Sequence, residues 1–180
     1  FGCYIHDNGT FGIDSIGTAS TIIMSFSISE ANGNHGVEMA SAAPSRISNC
    51  TIDGNTGAAV DGINYTTPNT GTVLLNNILS NNGRYGANAT DGDSIYADYN
   101  DYFGNGTAAR NNIPVGPNDA ALDPQFTDRA GGNFAIGTNL KALGFPGAFP
   151  AGLSTGYLDI GAVQRQEPAG GLAGSYIALP

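Results

Sequence analysis

Four aspartates close together in the sequence are the residues best suited to hold a metal ion. Asp91 and Asp93 flank a glycine in a predicted loop, and Asp98 and Asp101 follow shortly after. Ca²⁺ takes about six or more oxygen ligands and prefers carboxylates, so the four residues form a candidate Ca²⁺ site. The alternative is that Asp91 and Asp93 lie in a solvated turn, while Asp98 and Asp101 accept hydrogen bonds from nearby backbone amides. The sequence suggests no other cofactor.

Two further acidic residues could perform acid–base chemistry. Glu30 and Asp53 occupy near-equivalent positions after Ile28 and Ile52. In inverting glycoside hydrolases the two carboxylates stand about 6.5–9.5 Å apart, and neighbouring coils of a repeat protein can provide that separation. The pair is therefore a candidate for hydrolytic chemistry.

Histidines and standard catalytic motifs add no support for a particular reaction. His6 and His35 lie too far apart in the repeat to share a metal, and neither has a ligand partner at zinc spacing. A nucleophile elbow, a phosphate-binding loop and an HExxH zinc motif are all absent from the sequence. No residue is assigned a catalytic role on this basis.

Tyrosines suggest a carbohydrate-binding surface. Tyr65 and Tyr85 lie among the repeats, where an exposed aromatic ring could stack on a sugar and its hydroxyl could form a hydrogen bond. Tyr99 and Tyr102 are expected instead to close the last coil under a cap. The candidate carbohydrate-binding residues are therefore Tyr65 and Tyr85.

The sequence around these residues contains a pattern that repeats with a fixed period. An apolar residue followed closely by Asn and Gly returns about every 24 residues, and the asparagines are Asn8, Asn32, Asn55, Asn81 and Asn105. A period of this size is typical of a solenoid, in which each coil buries its apolar face by stacking on its neighbours. Asn and Gly provide the left-handed backbone conformations that turns between strands need.

Residue types decide which solenoid the period represents. Apolar residues alternate in steps of two, as in Ile22-x-Met24-x-Phe26-x-Ile28, which predicts short strands with one buried face. Leucine-rich repeats need Leu at fixed offsets, and Leu occurs in one repeat only. Hairpins of an antiparallel sandwich would recur about every 8–12 residues. We therefore predict an all-β fold, a right-handed parallel β-helix of about five coils of ~24 residues with an irregular C-terminal cap.

The register of the coils follows from the same marker. Ile5, Ile28, Ile52 and Ile78 are predicted to form one vertical column in the interior. A second predicted column contains Cys3, Phe26, Cys50, Asn76 and Asn100. The two cysteines would then be two coils apart, roughly 9.5 Å, whereas a disulfide needs Cα atoms within about 7 Å. Both are predicted to be free, buried thiols.

Composition limits the classes of partner. The chain has 180 residues, 6 Lys and Arg, 15 Asp and Glu, and a net charge of −9. Scattered positive charge does not suit a nucleic-acid backbone, and no apolar run is long enough to cross a membrane. The predicted organisation is β-helix coils over residues 1–106, a C-terminal cap over residues 107–166, and a Gly-rich linker with an apolar docking tail over residues 167–180.

Four short blocks resemble a known group of proteins. They are Leu75-Asn76-Asn77-Ile78, the segment 98–103, Asp123-Pro124-Gln125-Phe126 and the segment 158–163. Their order and spacing over about residues 45–166 resemble the end of pectate-lyase-like parallel β-helix domains, which are common in secreted and surface-anchored bacterial proteins and in phage virion proteins. The group includes polysaccharide lyases, glycosidases, adhesins and fibre domains, so the resemblance implies a fold and no single activity.

The chain departs from the enzymes of this group. In the lyases a Ca²⁺ bridges the acidic substrate while a Lys or Arg takes the proton, and Arg84 is the only basic residue near the four aspartates. Polygalacturonases carry Asn-Thr-Asp, Asp-Asp, Gly-His-Gly and Arg-Ile-Lys blocks, of which only Asn34-His35-Gly36 is similar to one. The group usually has a Ser-Pro-Ala-like segment where this chain has Gly-Thr-Asn-Leu-Lys-Ala at residues 137–142.

The expected function is therefore a non-catalytic structural domain, a phage fibre or decoration element or a bacterial surface element, located outside the cell or on a virion surface. Other protein subunits are expected at the Phe1 end, where residues 1–9 supply only part of a coil, and at a docking tail containing Tyr176, Ile177 and Leu179. The alternative is a polysaccharide-binding or polysaccharide-degrading domain, a lyase or a glycosidase, with cell-surface polysaccharide as the partner.

Overall fold

The structure of the chain, a computed structural model, describes residues 2–17, 19–68, 71–91, 94–145 and 158–164. Within these ranges it contains strands and no helix. The strands are β1 (Tyr4–His6), β2 (Ile13–Ile16), β3 (Ile23–Ser25), β4 (Ile28–Glu30), β5 (Val37–Ala40), β6 (Arg46–Ser48), β7 (Thr51–Asp53), β8 (Ile63–Tyr65), β9 (Thr72–Leu75), β10 (Ile78–Ser80), β11 (Tyr85–Ala89), β12 (Ile95–Asp98), β13 (Asp101–Phe103) and β14 (Ala108–Asn111). A search of the described ranges for a helix able to cross a membrane finds none.

The strands form three parallel sheets. Sheet A contains β1-β4-β7-β10-β13, sheet B contains β2-β5-β8-β11-β14, and sheet C contains β3-β6-β9-β12. The chain therefore visits sheets A, B and C in turn and then starts the next coil, which gives four complete coils and a fifth of two strands. This arrangement confirms the predicted parallel β-helix.

The coil turns sharply on both sides of each sheet A strand. One residue at each turn has a positive φ: Gly2, Phe26, Asn49, Asn76 and Tyr99 before the strand, and Asp7, Ala31, Gly54, Asn81 and Gly104 after it. Gly, Asn and Asp adopt this conformation most readily, which explains their abundance at these positions. Phe26, Ala31 and Tyr99 adopt it as well, because the stacked coils above and below fix the path of the backbone.

The residue that follows each turn after a sheet A strand belongs to a column of asparagines, Asn8, Asn32, Asn55, Asn82 and Asn105. The backbone N and Nδ2 of Asn32 both donate to Asn55 Oδ1, at 3.1 and 2.9 Å. Asn55 donates in the same way to Asn82 Oδ1, at 3.2 and 2.9 Å. The predicted marker Asn81 is therefore wrong, since Asn81 is the left-handed turn residue and Asn82 is the ladder residue.

A second polar column precedes the sheet A strands and contains Cys3, Ser27, Cys50, Asn77 and Asn100. Cys50 N donates to Asn77 Oδ1 at 3.0 Å, and Asn77 Nδ2 donates to Asn100 Oδ1 at 2.9 Å. The predicted column with Phe26 and Asn76 was wrong at those two residues, which are the neighbouring turn residues. The cysteines form no disulfide, as predicted; Cys50 is buried, but Cys3 is exposed.

The predicted isoleucine column was also wrong. In register, Ile5 lies beside Ser29, Ile52, Leu79 and Tyr102, whereas Ile28 and Ile78 belong to the adjacent column with Tyr4, Thr51 and Asp101. Because side chains alternate between the two faces of a strand, a shift of one residue places them on opposite faces. Ile52 and Leu79 pack in the interior of the solenoid, whereas Ile78 packs in a separate cluster.

Glycines permit the coils to approach closely at the next turn. A Cβ on Gly33 would meet Gly9 O at 2.7 Å, and a Cβ on Gly83 or Gly106 would clash with the carbonyl of Gly57 or Gly83. The Gly after three of the ladder asparagines, Asn32, Asn82 and Asn105, is thus required by backbone contact between consecutive coils.

The chain after β14 covers both the end and one side of the solenoid. At the end, Ile113 joins the interior core, and Ala120 forms a parallel bridge with Asp101. Residues 126–145 and 158–164, called the covering segment below, pack on the outer face of sheet A. Strands continue to Asn111, five residues past the predicted end of the coils at residue 106.

Candidate functional site

The outer face of sheet A carries the polar side chains best placed for chemistry. Its two outward columns are Tyr4, Ile28, Thr51, Ile78 and Asp101, and His6, Glu30, Asp53, Ser80 and Phe103. Adjacent members of a column are about 4.8 Å apart, the distance between paired strands. Glu30 and Asp53 therefore lie side by side, in the near-equivalent positions that the sequence predicted.

An apolar cluster covers the middle of this face. Ile78, Ile136, Leu140 and Ile160 are buried together, with Ala120 and Phe126 packed against them. Three of the four buried residues come from the segment after β14, so this segment, and not solvent, covers sheet A around Ile78. Two hydrogen bonds fix its last described part, from Ala162 N to Thr51 Oγ1 at 3.1 Å and from Gly161 N to Asn76 O at 2.8 Å.

Asp53 accepts hydrogen bonds from three other residues of the fold. Its carboxylate is completely buried, and Oδ1 accepts from Ser80 Oγ at 2.7 Å and from Asn81 Nδ2 at 2.9 Å. Arg129 Nε donates to Oδ2 and forms an ion pair with it. A buried carboxylate whose two oxygens already accept three hydrogen bonds is poorly placed to contact a substrate. Asp53 therefore anchors the covering segment.

Arg129 reaches Asp53 because the adjacent residue is a glycine. A Cβ on Gly54 would collide with the Arg129 guanidinium, and Gly54 has a φ of +62°. The left-handed turn position after the sheet A strand thus also makes room for the arginine.

An open pocket of about 400 Å³ lies beside this ion pair. It is lined by Asp7, Glu30, Ala31, Arg129 and Ala130. The lining combines two carboxylates with a guanidinium whose side chain is 47% exposed. The volume is within the range of small-molecule sites in proteins.

Tyr4 forms a fixed aromatic surface next to the pocket. Its ring is 46% exposed, stacks on His6 at 4.3 Å between centroids, and meets Phe134 edge-on at 6.4 Å. Its hydroxyl donates to Glu30 Oε1 at 2.6 Å. This hydrogen bond, followed by burial and the charges of Glu30 and Asp7, raises the pKa of Tyr4 to about 12, so the phenol stays neutral. His6 Nδ1 lies 2.8 Å from Asp7 Oδ2.

The four aspartates of the predicted Ca²⁺ site are distributed over different elements. Asp98 ends β12 in sheet C, Asp101 begins β13 in sheet A, Asp91 follows β11, and Asp93 lies outside the described residues. Asp98 Oδ1 accepts from Tyr99 N and from Asn118 N, both at 2.9 Å. In the described part of the chain no three His, Cys, Asp or Glu side chains lie close enough together to hold a metal ion.

Asp101 is a buried carboxyl with one oxygen that has no hydrogen-bond partner within the described residues. Its Oδ1 accepts from Leu122 N at 2.8 Å, whereas its buried Oδ2 has no hydrogen-bond partner within the described ranges. Burial raises the pKa of Asp101 to about 7; the Leu122 hydrogen bond lowers it, and the charge of Asp123 raises it. This carboxyl is therefore partly protonated near neutral pH.

The two predicted carbohydrate-binding tyrosines differ in position. Tyr65 is completely buried in the solenoid interior, so its prediction as a sugar-stacking residue was wrong; its inward position in β8 is shared with Ile63. Tyr85 is half-buried on sheet B, with the Arg84 guanidinium 5.1 Å from its ring centroid. One face of Tyr85 is thus occupied by its own neighbour.

Sheet B carries a polar outward column that the sequence analysis missed. Asp14, Glu38, Asn64, Asn88 and Asn111 are in register. Asn111, Asn88 and Asn64 each donate through Nδ2 to the preceding member, at 2.9, 2.7 and 2.9 Å. The signal that could have revealed it is the spacing of 24 and 23 residues between the three asparagines, which matches the coil period.

His35 belongs to a buried network on the same sheet. Asp61 N donates to His35 Nδ1 at 2.8 Å, which places the proton of neutral His35 on Nε2. His35 Nε2 lies 3.7 Å from Glu38 Oε2, and Asp61 pairs with Arg84. Burial raises the pKa of Glu38, while the Asn64 hydrogen bond and His35 lower it. The network joins consecutive coils, and Phe11 stacks on His35 at 5.9 Å.

The remaining predicted site lies outside the described residues, since the docking residues Tyr176, Ile177 and Leu179 all belong to the segment after residue 164.

Comparison with known proteins gives one match. The model of a family described as a domain of unknown function, DUF5123, matches residues 45–146, which is more than half of the chain. The matched region contains the coils from β6 onward and most of the segment that covers sheet A. No curated protein and no solved structure gives a significant match to the chain.

Proposed function

We propose that this chain, which belongs to the DUF5123 family, is a non-catalytic structural β-helix domain of a larger extracellular or virion assembly. The observation that carries the proposal is the occupation of sheet A by the segment after β14. The carboxylate pair Glu30 and Asp53 lies on this face, and Asp53 is buried beneath Arg129 with both of its oxygens already accepting hydrogen bonds.

The solenoid has features that suit a rigid structural element. One column of hydrogen-bonded asparagine side chains runs through all five coils, and a second links the third, fourth and fifth coils. Such ladders link every coil to the next independently of any ligand. On sheet C, Ile23 and Tyr96 share an outward column with Arg46 and Val73 and are 75% and 54% exposed. These two exposed apolar side chains in one column support contact with other subunits.

The finer assignment to the pectate-lyase-like β-helix group, as a phage fibre or decoration element or a bacterial surface element, is part of the same proposal. It is supported by the four sequence blocks. In the structure, Asn76 and Ile160, from two of these blocks, lie at the contact between sheet A and the covering segment.

The second candidate is a polysaccharide-binding or polysaccharide-degrading domain, and the pocket beside Tyr4 favours binding. An assay for new reducing ends and for unsaturated products, with acidic and neutral glycans and with or without Ca²⁺, separates the candidates. The structural proposal expects no turnover above that of a heat-denatured sample. Turnover that disappears in Asp93→Ala or Glu30→Gln would overturn it in favour of an enzyme.

A further inference from the structure

We propose that the pocket lined by Asp7, Glu30 and Arg129, together with the ring of Tyr4, binds a saccharide that carries free amino groups. This inference goes beyond the structural role and gives the binding alternative a site and a ligand class. It does not depend on the absence of catalysis, because a surface domain and an enzyme can both bind an amino sugar here.

The aromatic ring supplies the first part of the argument. An exposed tyrosine offers an apolar face for the C–H groups of a sugar, provided that the ring does not fold away. Tyr4 is held by a stacked ring, an edge contact and a hydrogen bond, from His6, Phe134 and Glu30 respectively. The ring is therefore fixed in place before a ligand arrives, which reduces the entropic cost of binding.

Charge supplies the second part. Around the pocket, the carboxylates of Asp7, Glu30 and Asp53 outnumber the guanidinium of Arg129, and Arg129 is already paired with Asp53. The His6 ring lies 2.8 Å from the Asp7 carboxylate, so with His6 neutral two negative charges are left, which attract a cation and repel a uronate. A protonated amine beside carboxylates forms charge-assisted hydrogen bonds, which are stronger than neutral ones.

Hydrogen-bonding geometry supplies the third part. Glu30 uses Oε1 for Tyr4, and its Oε2 makes no hydrogen bond within the described part of the chain. The carboxylate of Asp7 is 75% exposed. Asp7 lines the pocket together with Glu30 and Ala31. The guanidinium of Arg129 adds donors for sugar hydroxyls. An aromatic face with flanking carboxylates and a donor matches the amine, hydroxyls and apolar face of an aminohexose.

The test uses the full chain and three sets of short oligosaccharides in calorimetric titrations at low salt and about pH 6, where a sugar amine is protonated. The sets are glucosamine oligomers, the same oligomers fully N-acetylated, and oligogalacturonates. We expect the glucosamine oligomers to bind, the N-acetylated oligomers to bind about tenfold or more weakly, and the galacturonates to give no heat of binding. Added salt is expected to weaken the binding.

Variants locate the site. Tyr4→Ala and Glu30→Gln should each weaken glucosamine-oligomer binding by about tenfold. The matched controls are Tyr96→Ala, an exposed tyrosine on sheet C, and Asp14→Asn, an exposed carboxylate on sheet B; both should bind as the unaltered chain does. Circular dichroism would confirm that each variant is folded.

The proposal is overturned if the folded chain does not bind glucosamine oligomers or binds the N-acetylated ones equally well. It is also overturned if both Tyr4→Ala and Glu30→Gln bind as the unaltered chain does. The same holds if Tyr96→Ala and Asp14→Asn lose as much affinity as Tyr4→Ala and Glu30→Gln. Product analysis of the same mixtures separates the amino-sugar site from the non-catalytic structural role. Binding without new reducing ends supports both proposals. Binding with new reducing ends supports the amino-sugar site and contradicts the non-catalytic role.

Discussion

Arg129 and Asp53, 76 residues apart in the sequence, form an ion pair on the outer face of sheet A. The guanidinium is 47% exposed, whereas the carboxylate is completely buried. The pair connects the covering segment to β7, the middle strand of sheet A. Asp53 lies there beside Glu30 of the preceding coil. The contact therefore keeps the Asp53 carboxylate from a substrate, whereas Glu30 remains beside the pocket.

The interior asparagine column should contribute strongly to stability. In Asn55→Ala, the backbone N and Nδ2 of Asn32 lose their shared acceptor inside the core. Because buried donors without partners are costly, we expect the free energy of unfolding to fall by roughly 2–4 kcal/mol. Chemical denaturation measures it. The control is Asn88→Ala on sheet B, where the side chain is half-buried and the expected loss is about 1 kcal/mol or less. Equal losses in the two variants would argue against a special role for the interior column.

Ile78 and Leu79 are adjacent and fully buried, yet they should respond differently to the same change. Leu79 packs in the solenoid interior, and Ile78 packs under the covering segment. We expect Leu79→Asp to prevent folding and Ile78→Asp to leave a folded solenoid whose covering segment is released. Limited proteolysis with mass spectrometry would show cleavage within residues 124–145 in Ile78→Asp. Global unfolding of both variants would show that the segment is inseparable from the core.

Asp101 should make stability depend on pH. The pKa of this carboxyl is about 7 in the folded chain, against an ordinary value of 3.8. The folded state therefore holds the proton more tightly, so the stabilisation is complete below about pH 4 and is lost as the pH rises through about 7. Between about pH 5 and pH 8 we expect the unfolding free energy to fall by roughly 2–4 kcal/mol more than in Asp101→Asn. Parallel profiles for the two proteins would contradict this assignment.

The two thiols should differ in reactivity. Burial raises the pKa of Cys50 to about 12, while hydrogen bonds with the Ser27 and Ser48 backbones lower it by less. Cys3 is exposed at the edge of the first coil. Because the thiolate is the reactive form, we expect a thiol reagent to modify one cysteine per folded chain and both after unfolding. In Cys3→Ser, rapid modification of the folded chain should disappear; persistent modification would mean that Cys50 is accessible.

The sequence predicted the architecture because the period is a long-range signal that tolerates local errors. Asparagines at steps near 24 residues required stacked coils, whichever residue of each turn carried the ladder. Two of the register errors lie where neighbouring residues have the same side chain. At Asn81 and Asn82, and at Asn76 and Asn77, one asparagine is the left-handed turn residue and the next is the ladder residue. The amino-acid type alone does not separate these roles.

The candidate site was less accessible from the sequence. The adjacency of Glu30 and Asp53 followed from the repeat, but the pairing of Asp53 with Arg129 depends on a segment without periodicity. Tyr4 was not singled out, since its exposure depends on which face of β1 points outward. Tyr65 was assigned to a surface because its inward position required the true register of sheet B.

The buried carboxylate of Asp53 holds the covering segment in place on sheet A. Hydrogen–deuterium exchange of Asp53→Asn tests this claim most directly, with the exposed carboxylate variant Asp14→Asn as the control. In the unaltered chain, the backbone amides of Thr127, Asp128 and Asn133 are hydrogen-bonded within the segment that Arg129 anchors. We expect these amides to exchange faster in Asp53→Asn and at an unchanged rate in Asp14→Asn. Unchanged exchange in Asp53→Asn would contradict the claim.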